Sequence, residues 1–201
     1  MTATATLIIL ILTIGISILC FQNYDAKYRL IFSPTIIEER KEWYRFFTSG
    51  LIHADWIHLG VNMYVLWSFG QVVETYFKMY FEFPMIKYMM MYFMTVVLAN
   101  VKTFYKERYN DAYFSLGASG GVSGVVFSSI MFDPFANVYL YAALPIPGWL
   151  MGIGYLVLSQ YMAKRGRDNI NHDAHFWGAV VGAVYTLVLK PDLILRLFDR
   201  L

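Results

Sequence analysis

Apolar runs cover residues 3–21, 56–76, 84–99, 117–132, 149–162 and 173–189, more than half of the chain. About 20 apolar residues suffice to cross a bilayer as a helix. Inside hydrocarbon every backbone N–H and C=O must be satisfied within the segment, which selects helices. The expectation is an all-α membrane protein, a single domain over residues 1–201, with one span in each run. Hydrophobic residues make up 58% of the chain, more than a soluble domain carries, so the bilayer is the natural solvent.

The run at 3–21 has no Lys or Arg before it and no obvious cleavage pattern after it, and reads as a retained first span rather than a signal peptide. The net charge of +2, with no Lys/Arg cluster, argues against nucleic acid as a partner. Cys20 is the only cysteine, so no intrachain disulfide forms. Residues 22–52 are amphipathic, with Lys27, Arg29 and the charged run from Glu38 to Glu42 beside Trp43 and Tyr44, as suits an interface. The run at 117–132 is too short to cross about 30 Å of hydrocarbon from surface to surface, so its start is expected in a recess. A polar link at 100–115 leads into it, Pro134, Pro145 and Pro147 bracket the next connection, and Asp173 is placed to cap the last helix.

Polar side chains at membrane depth are costly unless paired or wetted, which makes them candidates for chemistry. His58 and Asn62, four residues apart, share one helix face; His53 lies ahead of them and does not. In Gly117-Ala118-Ser119-Gly120-Gly121-Val122-Ser123-Gly124 the glycines recur at helical spacing as one bare stripe bordered by Ser119. His175, Gly178 and Gly182 follow at i, i+3 and i+7. If the two stripes meet, Ser119 lies beside His175. A serine hydroxyl is a weak nucleophile until a neighbour takes its proton, and neutral imidazole suits that task near pH 7. His58, Asn62 and the Ser119 N–H at a helix start are candidate donors to the oxyanion. Each feature alone has a plainer reading: small-residue stripes are common packing, and a membrane histidine is more often a hydrogen-bonded structural group. A metal centre built from His53, Asp55, His58, His172 and His175 is disfavoured, because helical chelation wants an i, i+4 pair and His53 and His58 are five apart. No metal or cofactor is expected.

At these residues the sequence resembles the rhomboid family of intramembrane serine proteases over about 43–189. Gly117-Ala118-Ser119-Gly120 is similar to the family's Gly-x-Ser-Gly nucleophile motif, and His175 with Gly178 and Gly182 to its later His-x-x-Gly-x-x-x-Gly helix. The segment through His53, His58 and Asn62 looks like its His-rich second helix, with Arg45 like the arginine that precedes it. The resemblance implies a six-transmembrane-helix rhomboid core with a short recessed fourth helix and a Ser119–His175 dyad without a carboxylate. It implies oxyanion stabilisation by His58 and Asn62, with supporting places for His53, Arg45, Gly117, Gly120, Gly124, Gly178 and Gly182. The activity implied is endopeptidase cleavage of transmembrane or juxtamembrane segments of other membrane proteins, which enter laterally from the lipid bilayer. The alternative is an inactive relative that binds membrane helices for quality control or trafficking; the complete Ser, His and Asn set stands against it.

The chain departs from the family pattern in two places. Members often carry an aromatic residue four positions after the nucleophile, packed on the base; this chain has Ser123, which leaves open how His175 is held. Since Gly121-Val122-Ser123-Gly124 repeats the motif, Ser123 is also a rival nucleophile, one turn or about 5.4 Å deeper. Ser49 stands where some members have a histidine. Asp173, two residues from His175, diverges from it on a helix and restores no triad. Family topology puts the recess on the extracytoplasmic side of a cell membrane. Charge points the other way: of the 16 basic residues, all but Lys78, Lys87, Lys190, Arg196 and Arg200 fall on the recess side, Arg167 among them. The family arrangement is the expectation, because several of those charges lie in a long first loop where the positive-inside rule weighs them less.

Overall fold

The first apolar run folds as α1 (Thr4–Gln22) with a pattern inverted from that of a soluble helix. Thr6, Thr13, Ser17 and Cys20 face inward with Ala5, Ile9 and Leu10, while Ile11 and Leu19 are 67% and 66% exposed. Small and polar residues packed inside, with large apolar ones outside, are the arrangement of a helix whose surroundings are apolar. The computed structural model describes residues 4–140, 143–166 and 170–198; Ala3 of the first run and the basic residues Arg167 and Arg200 lie outside the described residues.

The amphipathic stretch that follows divides into short pieces: α2 (Tyr24–Leu30), α3 (Pro34–Arg40), α4 (Arg45–Thr48) and a 3-10 turn at Ser49–Leu51. Asn23 caps α2 by accepting the Ala26 N–H at 3.0 Å, and Lys41 ends α3 in the left-handed region. Asp55, accepting the His58 N–H at 2.8 Å, starts α5 (Trp56–Tyr80). Next come α6 (Pro84–Ala99) and α7 (Val101–Glu107), so the polar link expected at 100–115 is helical in its first half. After α8 (Ser119–Phe132), the proline-bracketed connection contains a small antiparallel hairpin of β1 (Asn137–Leu140) and β2 (Leu144–Pro147). Its two prolines sit on β2 of a two-stranded sheet, where a missing N–H is tolerated. The chain closes with α9 (Gly148–Arg165), α10 (His172–Leu189) and α11 (Asp192–Phe198).

A helix thus occupies each apolar run. Among the described residues two helical stretches are long and apolar enough to cross a membrane, Thr4–Gln22 and the continuous Pro84–Glu107; α8 is apolar but has only 14 residues. That short helix is the centre of the molecule, with 11 of its 14 residues buried against α10, α5 and α6. A cluster around Leu66, Val73, Phe77, Tyr88 and Met91 joins α5 and α6 to α1 and α8. Outside it, Trp56, Ile57 and Tyr64 of α5 and Ile153 and Val157 of α9 are exposed, apolar surface of the kind that marks a membrane or protein contact.

The two glycine stripes meet. A Cβ added at Gly178 would fall on the Gly120 carbonyl, and one at Gly182 on the Gly124 carbonyl, so α8 and α10 touch backbone to backbone. The expected single stripe on α8 resolves into separate faces. Gly120 and Gly124 face the groove between α10 and Ala99 and Thr95 of α6, whereas Gly121, about 100° round the helix, looks only at Tyr92 and Val96 of α6. Gly117 is not on the helix at all.

Candidate active site

The turn before α8 is shaped first by Gly117, whose φ of +125° an L side chain rarely adopts. A Cβ there would also lie 2.6 Å from the His58 ring. The Gly117 N–H donates to the Ser49 carbonyl at 2.9 Å, and Ser115 pairs with Phe32 through two 3.0 Å backbone bonds, so the approach to the helix is held on both sides. At the next residue the Ala118 N–H donates to His53 Nε2 at 3.3 Å. A backbone N–H can only donate, so His53 Nε2 is a bare acceptor and its proton sits on Nδ1. From there it reaches Ser17 Oγ at 3.0 Å, and the Ser17 hydroxyl donates to the Leu51 carbonyl at 3.0 Å. His53 is fully buried, and that burial, reinforced by His58 and partly offset by Asp55, pushes its pKa down to about 3. A neutral His53 therefore ties α1 to the residue immediately ahead of Ser119.

Ser119 is the first residue of α8, and its Oγ lies 2.8 Å from His175 Nε2. For the hydroxyl to donate, Nε2 must be unprotonated and the imidazole must carry its proton on Nδ1. His175 sits in the first turn of α10, which is capped by Asn171 rather than by Asp173. Asn171 Oδ1 accepts from the Ala174 N–H and from Thr103 Oγ1, both at 3.0 Å, and its amide donates to Asn100 at 3.1 Å and Ser115 at 3.4 Å. These bonds fasten the start of α10 to α6, α7 and the approach to α8. Asp173 is drawn away instead, to Lys102 at 2.8 Å and Lys106 at 3.6 Å on α7. Its expected capping role passes to Asn171 because the cap must lie outside the helix, and Asp173 is already inside it.

Other sequence-picked residues take different positions. The His58 ring lies against Gly117 and 5.0 Å from the His53 ring, close to the turn before α8. Asn62 is buried and turned back on its own helix, its amide donating to the His58 carbonyl at 2.8 Å. Ser123 bonds the Tyr155 hydroxyl at 2.5 Å, and Ser119 is the serine on His175. Arg45 is buried away from Ser119 and His175: Nε and Nη2 each reach Glu42 at 2.6 Å, and Nη1 donates to the Tyr28 and Ile31 carbonyls at 2.8 Å. It ties α4 to α2 and to the link that follows α3, and its hydrogen bond, with one from Tyr44, holds the Glu42 carboxyl below the usual carboxylate range. Among the described residues no three His, Cys, Asp or Glu side chains form a group that could hold a metal ion.

Three participants were not picked out from the sequence: Tyr155, Asn171 and Ser17. A signal for Tyr155 was present, since Gly152, Tyr155 and Ser159 fall at i, i+3 and i+7 and so share one face of α9. A cavity of about 20 Å³ opens beside Ser119, lined by Ser49, Asn100, Ser115 and Asn171 among others. One water needs about 10–15 Å³ and two to four polar partners, and this space supplies both.

Comparison with known proteins bears on the same segment. A family profile described as the Rhomboid domain matches residues 40–192. The chain is 27% identical over 167 residues to the Rhomboid-like protein 11, chloroplastic, of Arabidopsis thaliana, covering 74% of this chain and 53% of that one. It is 36% identical over 69 residues to the RHOMBOID-like protein 12, mitochondrial, of the same plant, covering 34% and 20%. Against the Rhomboid protein 1, mitochondrial, of Saccharomyces cerevisiae it is 26% identical over 142 residues, covering 68% and 39%. The chain spans about half or less of the length of these curated relatives.

Proposed function

The chain belongs to the rhomboid family, and on that premise we propose that it is an intramembrane serine endopeptidase that cleaves transmembrane or juxtamembrane segments of other membrane proteins with a Ser119–His175 dyad. The observation that carries this reading is the 2.8 Å bond from Ser119 to His175 across a backbone-to-backbone glycine contact. In this reading α1, α5, α6, α8, α9 and α10 cross the bilayer as a six-helix core over one domain, and the short α8 opens a wet recess. His175 Nε2 takes the Ser119 proton as Oγ attacks the scissile carbonyl, then returns it to the leaving amine. A water, reaching the site from the polar cavity beside Ser119, then hydrolyses the acyl-enzyme with His175 again as base.

The oxyanion is met by the Ser119 N–H, which has no acceptor within its helix, and by His58 and Asn62. One Asn62 N–H is occupied by the His58 carbonyl, and the amide has a second to offer. His53, Arg45 and the glycines support the site from outside the reaction. Asp173 serves the α7 lysines and takes no part, so the dyad works without a carboxylate. The recess faces the extracytoplasmic side of a cell membrane in this reading. Substrate enters laterally, and its helix must unwind first because intact hydrogen bonds shield the carbonyl.

The test is cleavage in proteoliposomes of two model substrates, one with a Gly-containing and one with a poly-Leu transmembrane helix. The Gly-containing helix is expected to be cut and the poly-Leu helix spared, with no product from Ser119→Ala or His175→Ala. Folded wild type that binds both helices and cuts neither would favour the inactive, helix-binding alternative.

A further inference from the structure

Ser123 stands one turn below Ser119, so the nucleophile helix offers His175 no aromatic neighbour at that position. The ring comes from α9 instead. Tyr155 lies nearly parallel to the His175 imidazole, with centroids 6.4 Å apart and planes at 16°. Phe127 of α8 meets the same tyrosine at 5.6 Å and 52°. The Tyr155 hydroxyl bonds Ser123 Oγ at 2.5 Å and has Ser159, one turn along α9, as a second partner. The ring is thus fixed at its tip by two serines and against its side by Phe127. His172 meets the imidazole edge to face at 5.7 Å.

We infer that Tyr155 is a positioning residue for His175 and that Ser123, by anchoring the Tyr155 hydroxyl, leaves and defines the space that ring fills. The inference rests on the serine-protease reading above. A flat ring stacked on an imidazole limits rotation of its plane, and Nε2 is useful only while it points at Ser119 Oγ. Ser123 then has a role that explains why a small polar residue stands there: a larger side chain would collide with the ring it holds.

The experiment compares Tyr155→Ala, Tyr155→Phe and the double variant Ser123→Tyr/Tyr155→Ala. Two readouts are followed in detergent across pH: the rate of labelling by a fluorescent fluorophosphonate, and the ¹³Cε1–H NMR signal of His175. Misplacing a catalytic group by about 1 Å can cost about 100-fold, so Tyr155→Ala is expected to label at least about tenfold more slowly, with its His175 signal shifted and broadened. Tyr155→Phe keeps the ring and is expected within about threefold of wild type, a loss of less than about 1 kcal/mol. The double variant returns an aromatic ring from α8 and is expected to label faster than Tyr155→Ala alone. Should Tyr155→Ala fail to fold, Tyr155→Leu, which fills the volume without a flat ring, carries the same expectation. Wild-type labelling by a folded Tyr155→Ala at every pH would overturn the inference, as would a folded double variant no better than the single one. An unlabelled wild type refutes the protease reading alone; a His175 signal unmoved in Tyr155→Ala then overturns this inference as well.

Discussion

Replacing Gly178 by alanine places one methyl group at the point where α10 rests on α8. The added Cβ would fall on the Gly120 carbonyl, a backbone atom at the core of a buried helix, so no side chain can swing aside. The helices must part by more than about 1 Å before the methyl reaches an ordinary distance of about 3.5 Å from that oxygen. His175 lies less than one turn from Gly178, so its Nε2 retreats from Ser119 Oγ by a similar amount, starting from 2.8 Å. That takes the pair beyond hydrogen-bond reach, and a displacement of about 1 Å costs about 100-fold in rate. Overpacking of a tight contact adds about 1–3 kcal/mol of destabilisation. The assay pairs fluorophosphonate labelling rates with thermal unfolding in one detergent. Gly154→Ala is the control: it also sits within a helix, but nothing lies within 4 Å of its added Cβ, and it is expected to leave labelling unchanged. Wild-type labelling and melting by Gly178→Ala would refute the backbone-contact reasoning.

His53 gives a pH dependence of stability. Its folded pKa, about 3, lies below the ordinary 6.5, so stability is complete above pH 6.5 and is lost as the pH falls towards 3, by about 1.4 kcal/mol per unit. Melting temperature should drop from pH 7 to pH 4.5 in wild type and drop less in His53→Gln; identical slopes would contradict the buried-neutral assignment. Asp173→Asn breaks partly exposed ion pairs to Lys102 and Lys106, worth about 1 kcal/mol or less, and labelling should stay within about fivefold of wild type. A loss of several hundredfold would mean that Asp173 serves His175 after all. Asn171→Ala removes the cap of α10 and its ties to Thr103 and Asn100, for a destabilisation of about 1–2 kcal/mol read from thermal unfolding; an unchanged melting temperature would show that the helix start is held otherwise.

The parts of the site legible in the sequence are those whose spacing is local. His175, Gly178 and Gly182 sit within two turns of one helix, and Gly120 and Gly124 within one turn of another, so period alone brings them to a common face. Gly117 sits at the same spacing yet lies outside the helix with positive φ, because spacing cannot mark where a helix begins. What escaped the sequence depends on contacts between distant segments. Tyr155 reaches His175 from α9, and Ser17 holds His53 from α1. Asn171 rather than Asp173 is the cap because α10 begins at His172, a boundary that spacing does not mark, and the aspartate inside the first turn turns to two lysines of α7. The amphipathic stretch before α5 broke into short helices because buried Arg45 collects carbonyls from Tyr28 and Ile31, which one continuous helix would keep for itself.

The most direct test of the central claim is to label detergent-solubilised protein with a fluorophosphonate and locate the adduct by peptide mass spectrometry. The account predicts a single phosphonylated residue, Ser119, with labelling abolished in Ser119→Ala and His175→Ala and retained in Ser123→Ala. An adduct on Ser123, or folded wild type that takes up no label, would contradict it.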